Sequence, residues 1–291
     1  MMTTKMFVTA AVAAVLAGGL AGCGGGGGTT VSGSTVSVSG TVADGYLRGA
    51  EVFLDKNGTY QWDGVEPHTV TGAGGAYALS IAPADMGKYP IVVRAMAGST
   101  VDEDTGQAVQ NSYVMSAPAG MTSFVSPLST LVRAKMDAGT GMTANQAIVQ
   151  LRNQLDMPAG MDVMADYMAG SRAGQYQSQY QAMHQAARQM AAVMAGQAGL
   201  VMNGSGVNRG RYQLVLGMIN QNMPRIANNA FQGMGMNSTF MTNMMTQLRT
   251  LLGTTGFGNY SGMFRNMTSL GNFWNYSGGR MRPGRGGGMR M

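Results

Sequence analysis

The period of the hydrophobic pattern changes at Ser126-Pro127, and that change limits the folds open to this chain of 291 residues. Before it, β-branched and aromatic residues alternate in short runs. "TVSVSGTVA", "AEVFLD", "AYALSI", "PIVVRA" and "NSYVMSA" are punctuated by "ADGYLRG", "DKNG", "TGAGG" and "MAGSTVDEDTG". Runs of this length between Gly-, Asn- and Asp-rich stretches predict short strands joined by tight turns. Beyond it, apolar residues recur every three or four positions, the spacing of one helix face. Ser126 is placed to cap a helix whose first position is Pro127, where the missing N–H has no helical partner to lose. Thr143 and Gln146 have capping-box spacing ahead of Ala147, Ile148, Leu151 and Leu155.

Three longer helical segments follow. The first spans about 175–202, with Tyr176, Tyr180, Met183, Ala187, Met190, Met194 and Val201 on one seam. The second covers about 212–231 and is kinked at Pro224. The third covers about 239–252, with Phe240, Met244, Leu248 and Leu251 on its apolar face. The expected fold class is α+β and multidomain. A small antiparallel β-sandwich occupies 36–120 and an α-helical bundle 121–252. Residues 253–291 form a Gly/Asn/Arg-rich low-complexity tail, expected to be disordered because it has too few aliphatic residues for a core.

The chain's start carries an address. Residues 1–22 have one charge, Lys5, before an apolar run ending in small residues, the pattern of a secretory signal peptide. The run is short for a membrane span and lacks a basic flank. It ends at Cys23, the single cysteine, which can form no disulfide within the chain. Leu20-Ala21-Gly22-Cys23 resembles the lipobox of bacterial lipoproteins. That resemblance implies cleavage before Cys23, lipid on its thiol and an acylated new N-terminus, which together give stable anchoring. In such proteins an Asp after the cysteine favours the inner membrane. Gly24 stands there, so the resemblance implies the outer membrane, with either face open. Residues 23–35 are a Gly/Ser/Thr tether.

The segment from Ser39 to Ile81 resembles the carboxypeptidase-regulatory-like, transthyretin-like β-sandwich modules of bacterial surface lipoproteins. The matching features are G-x-V-x-D-G-x-L-x-G-A-x-V-x-x-D from Gly40 and G-x-Y-x-L from Gly75. The resemblance implies a fold and a surface role, not catalysis. Within it, Asp55, Asn57, Thr59, Gln61, Asp63 and Glu66 fall at positions 1, 3, 5, 7, 9 and 12 of a calcium-loop register. Tyr60 stands where such loops need glycine. The alternatives are a Ca²⁺ site and a polar hairpin whose Asp and Asn side chains make turns. Asp102-Glu103-Asp104 is expected to be a solvated turn.

Charge is divided along the chain. All thirteen acidic residues lie at or before Asp166. From Tyr167 onward there is no Asp, Glu or Lys, and there are eleven arginines. Residues 23–166 hold seven basic against thirteen acidic side chains, a net of −6, and the remainder carries +11. Such asymmetry bears on partners rather than on fold. Arg265, Arg280, Arg282, Arg285 and Arg290 lie in a tail with interleaved aromatics, a composition that can hold phosphates and stack on bases or sugars. The 29 methionines could supply soft ligands to Cu(I), a remote alternative; their place on helix seams assigns them to the core. His184 falls off the seam and is expected in solvent, and His68 has no evident partner.

Nothing here points to an enzyme. The sequence has no HExxH, GxSxG or P-loop motif, its two histidines are far apart, and it has no Asp or Glu after Asp166. The expected function is that of a non-catalytic, lipid-anchored protein of the cell envelope. Its partners are the membrane, through the anchor, and an anionic polysaccharide, lipopolysaccharide or extracellular nucleic acid. The alternative is an assembly or scaffold protein whose helices dock an envelope protein. Ca²⁺ is the one cofactor suggested.

Overall fold

The computed structural model describes residues 34–138, 141–204 and 206–254. The expected signal peptide, Cys23 and the tail arginines 265, 280, 282, 285 and 290 lie outside the described residues. The fold is mixed α+β.

The strands come first. β1 is Val36–Val42, β2 Leu47–Arg48, β3 Glu51–Leu54, β4 His68–Val70 and β5 Ala76–Ile81. β6 is Ile91–Ala95, β7 Val101–Asp102, β8 Gln107–Ala108, β9 Tyr113–Ala117 and β10 Phe124–Val125. They form three small sheets of order β4-β3-β6-β9, β10-β1-β5 and β2-β7-β8. β5 shows how the pattern sets the fold. In "AYALSI" exposed and buried residues alternate strictly, so Tyr77, Leu79 and Ile81 enter the core. β6 and β9 are buried along their whole length, which places them inside the molecule. Among the described residues all strand pairings but one are antiparallel. The exception is β10, which runs parallel to β1 through Thr41↔Phe124 and Val42↔Val125.

The helices follow. α1 is Pro127–Asp137, α2 Ala144–Gln154, α3 Tyr167–Gly170 and α4 Gln177–Gly196. Next come α5 at Ala198–Val201 and a two-strand hairpin of β11, Met202–Asn203, with β12, Gly206–Val207. α6 is Arg209–Phe231 and α7 Thr239–Thr254. Ser126 caps α1 by accepting from the Ser129 N–H, and Thr143 caps α2 through the reciprocal pair with Gln146. Each cap contributes about 1 kcal/mol. Pro224 sits inside α6, and the helix runs on past it to Phe231.

α1 is the hub. It packs against β9 on one side and touches α2, α4 and α6 on others. Every residue from Pro127 to Lys135 is buried as a result. Side-chain hydroxyls fasten its first turn to β9: Ser129 Oγ donates to the Ser116 carbonyl at 2.7 Å, and the Ser116 N–H donates to Thr130 Oγ1 at 2.8 Å. Buried apolar residues of strands and helices join in one core, in which Met183, Met190, Met194, Met223, Met241 and Met244 serve as filler.

Candidate functional site

Two polar clusters stand where the strands meet the helices. The first is the loop joining β3 to β4, which contains the six residues of the calcium register. Its turns are made by its own side chains. The Thr59 N–H donates to Asp55 Oδ1 at 2.9 Å and to Asn57 Oδ1 at 3.1 Å. Asp63 Oδ1 accepts from the N–H groups of Val65 and Glu66, and Glu66 Oε1 accepts from the Lys56 N–H at 2.6 Å. Gly58 and Tyr60 both adopt positive φ, 72° and 60°. A tyrosine in that conformation is strained. Burial compensates: Tyr60 is 2% exposed and meets Tyr212 of α6 edge-on at 5.0 Å.

The cation in this loop's structure is a side chain. Arg133, two turns into α1, donates from Nη2 to Asp55 Oδ2 at 2.9 Å, and its guanidinium lies 4.3 Å from the Tyr60 ring centre. Asp55 has no side-chain exposure and Arg133 only 6%. The register therefore splits. Asn57 and Asp63 stand side by side, with Asn57 Nδ2 donating to Asp63 Oδ2 at 3.4 Å. Thr59 Oγ1 faces the Asn57 side chain and the Gln61 carbonyl. Asp55 and Glu66 turn instead to protein donors. Among the described residues no three His, Cys, Asp or Glu side chains are arranged to hold a metal ion. Glu66 Oε2 is buried without a partner, and burial pushes this carboxyl above its usual range.

The second cluster surrounds the turn after β1. Asp44 accepts from the Tyr113 hydroxyl at 2.6 Å, while its other oxygen has no partner. Burial, with a smaller contribution from the charge of Asp102, pushes Asp44 up to about 7. Gly45 leaves room for two more carboxylates: a Cβ there would stand 2.5 Å from Asp102 Oδ1 and 2.7 Å from Asp104. His184 of α4 brings Nε2 to 2.8 Å from Asp104 Oδ2 and stacks on Tyr167 at 5.8 Å. Burial pushes the imidazole below its usual value, against the opposing charge of Asp104. The solvated histidine and solvated acidic turn expected from sequence are thus partners. His68, at the start of β4, also has one: it stacks on Trp62 at 4.4 Å.

The arginines of the second half divide by what they face. Arg172 lies over Tyr46, whose hydroxyl donates to Asp166 at 2.8 Å. Arg188 adds its charge beside His184. Arg209 reaches the calcium-register loop, with Nη1 3.9 Å from where a Cβ on Gly58 would be. Arg211 donates to the Leu200 carbonyl at 2.9 Å. Arg225 and Arg249 are exposed on α6 and α7, as Arg172 and Arg209 also are, and Arg225 lies 4.3 Å over the Phe240 ring. Sequence reasoning missed Arg133 because its partner is 78 residues away. Comparison of the chain with protein-family models, with curated proteins and with solved structures gives no match.

Proposed function

We propose that this is a non-catalytic lipoprotein, held at the outer membrane through Cys23, whose arginine-bearing second half binds anionic polymer. The strands are a small sandwich and the helices a bundle laid on it. The observation that carries the function is the exposure of Arg225 and Arg249 on a stretch with no carboxylate from Tyr167 onward. Arginine stays charged at any workable pH and grips phosphate or carboxylate with two parallel hydrogen bonds. Arg225 rests its guanidinium 4.3 Å from the Phe240 ring centre while staying exposed to solvent. The tail arginines 280, 282, 285 and 290 extend the same charge along the chain.

A salt titration tests this, using soluble protein that begins at Gly24 and either duplex DNA or lipopolysaccharide as probe. Each phosphate contact on DNA steepens the logarithmic salt slope by about 0.9. Truncation after Gly279 should flatten the DNA slope by roughly three to four units, and Arg225→Ala with Arg249→Ala by up to about two more. Unchanged slopes, or no binding at low salt, overturn the proposal.

One observation favours a second function, docking of an envelope protein. Phe231 and Met234, at the end of α6, are 48% and 41% exposed. A partner that stays bound at high salt and is lost on Phe231→Ser would select this alternative.

A further inference from the structure

Lys135 is the least expected residue in the core. It has no exposed surface, because α1 is enclosed by β9 and by three helices. Its amine meets amides and no carboxylate. Nζ donates to Gln150 Oε1 of α2 at 2.8 Å and to Asn220 Oδ1 of α6. Gln154 of α2 closes the group, donating to the Asn220 carbonyl at 3.1 Å and to Asn220 Oδ1 at 3.3 Å. Gln154 Oε1 and Asn220 Nδ2 are buried without partners.

The number of acceptors suits one protonation state. A neutral amine has two N–H groups and a lone pair, and two acceptors are in place. An ammonium has three donors and a charge, and it needs a carboxylate or water to be buried cheaply. Neither α2 nor α6 contains an acidic residue. The one carboxylate on α1, Asp137, pairs with Arg133. Of the other charged groups on the elements around Lys135, Arg133 is held by Asp55, and Arg152 of α2 donates to the Ala159 carbonyl. On α6, Arg209 reaches Gly58, Arg211 donates to Leu200, and Arg225 lies over Phe240. On α4, His184 faces Asp104, and Arg188 acts on His184. On β9, Tyr113 donates to Asp44. Desolvation alone therefore acts on the amine and pushes it down to about 7.

The element able to respond is α2. It buries only Ala147 and Leu151, whereas α4 buries nine residues and α6 twelve. Elements with few buried apolar contacts open at the lowest free energy.

We propose that Lys135 is a proton-operated latch for α2: the neutral amine ties α2 to α1 and α6, and the ammonium releases α2 so that water can reach the charge. The sign follows from linkage. The closed state has the depressed value and holds fewer protons than the open state from about pH 7 to 10.5. Closure therefore strengthens as pH rises through that window and is weakest below pH 7.

The test is amide hydrogen exchange of the chain from Gly24 onward across pH 6 to pH 10, corrected for the intrinsic rate. Opening of residues 144–154 should fall by up to about tenfold per pH unit above neutrality, while α6 protection does not follow the same curve. Lys135→Met should remove the dependence. An α2 protection that ignores pH in the unaltered chain, or a dependence that persists in Lys135→Met, overturns the latch. If Lys135→Met does not fold, the Lys135 side-chain NMR signal of the unaltered chain decides. An inflection near neutral pH shared with α2 protection supports the latch, and one in the ordinary lysine range overturns it.

Discussion

Arg133→Met removes the cation that faces Asp55 while keeping most of the side chain's length and packing. What remains around the carboxylate is the Thr59 N–H at 2.9 Å on Oδ1. Oδ2 loses its guanidinium partner at 2.9 Å, on a side chain with no exposure. Breaking a buried pair from one side costs about 3–5 kcal/mol, because the partner's charge stays behind uncompensated. The stacking of Arg133 over Tyr60 at 4.3 Å is lost in the same step. The second ion pair of Arg133, with Asp137 at 3.3 Å, contributes less, since Asp137 is 39% exposed. Asp137→Asn should therefore cost under about 1 kcal/mol. A total stability of about 5–15 kcal/mol makes the Arg133 loss more than half of the whole at the lower end. The assay is urea unfolding at pH 7 of soluble protein starting at Gly24, for Arg133→Met, Asp55→Asn and the double variant. The double should recover about 2 kcal/mol or more relative to the sum of the singles, because it strands no charge. A loss below about 1 kcal/mol for Arg133→Met, or singles that simply add, would refute the claim that this pair holds the loop to α1.

The same variant tests the calcium register. With Arg133 gone, Asp55 is free to accept another cation, so millimolar Ca²⁺ should raise the thermal midpoint of Arg133→Met more than that of the unaltered chain; an equal or absent shift shows that the loop cannot gather its ligands. Asp44 gives a pH signature. Its raised folded value means that its contribution to stability is complete below about pH 3.8 and is lost as pH rises through about 7. Asp44→Asn carries no such proton, so its stability relative to the unaltered chain should rise by up to about 4 kcal/mol between pH 4 and pH 8. Urea unfolding at the two pH values measures this, and a constant difference would show that Asp44 is ionised in the folded state.

Local signals were legible. The strands at Val36–Val42, Glu51–Leu54, Ala76–Ile81, Ile91–Ala95 and Tyr113–Ala117 fall within the five quoted runs, and the caps at Ser126 and Thr143 act as their spacing implies. These features rest on neighbours within four residues, so periodicity and capping chemistry find them. The two-residue strands β7, β8 and β10 are too short to have a period, and the parallel direction of β10 depends on where the chain has travelled since β1. The polar clusters were half legible. The register from Asp55 to Glu66 marks a turn-rich loop, but Arg133 comes from a helix whose other buried residues hide it. His184 was missed for a related reason. One helix viewed alone has a single apolar seam, whereas α4 in the molecule also meets α3, carrying Tyr167, and places His184 against Asp104.

The parallel pairing of β10 with β1 bears on where the chain can be cut. β10 continues directly into α1, whose first turn is fastened to β9 by Ser129 and Thr130. A fragment ending near residue 120 would lack β10, a neighbour of β1, and the helix covering β9. A fragment starting there would carry α1 with the face that β9 had covered turned to water. The strand-rich half therefore lacks two of its packing partners, β10 and α1, until the chain has emerged beyond α1. A protein that crosses a membrane from its N-terminal end would have to keep its first hundred residues uncommitted for that interval, and a module boundary placed at the change of hydrophobic period would cut through a shared core.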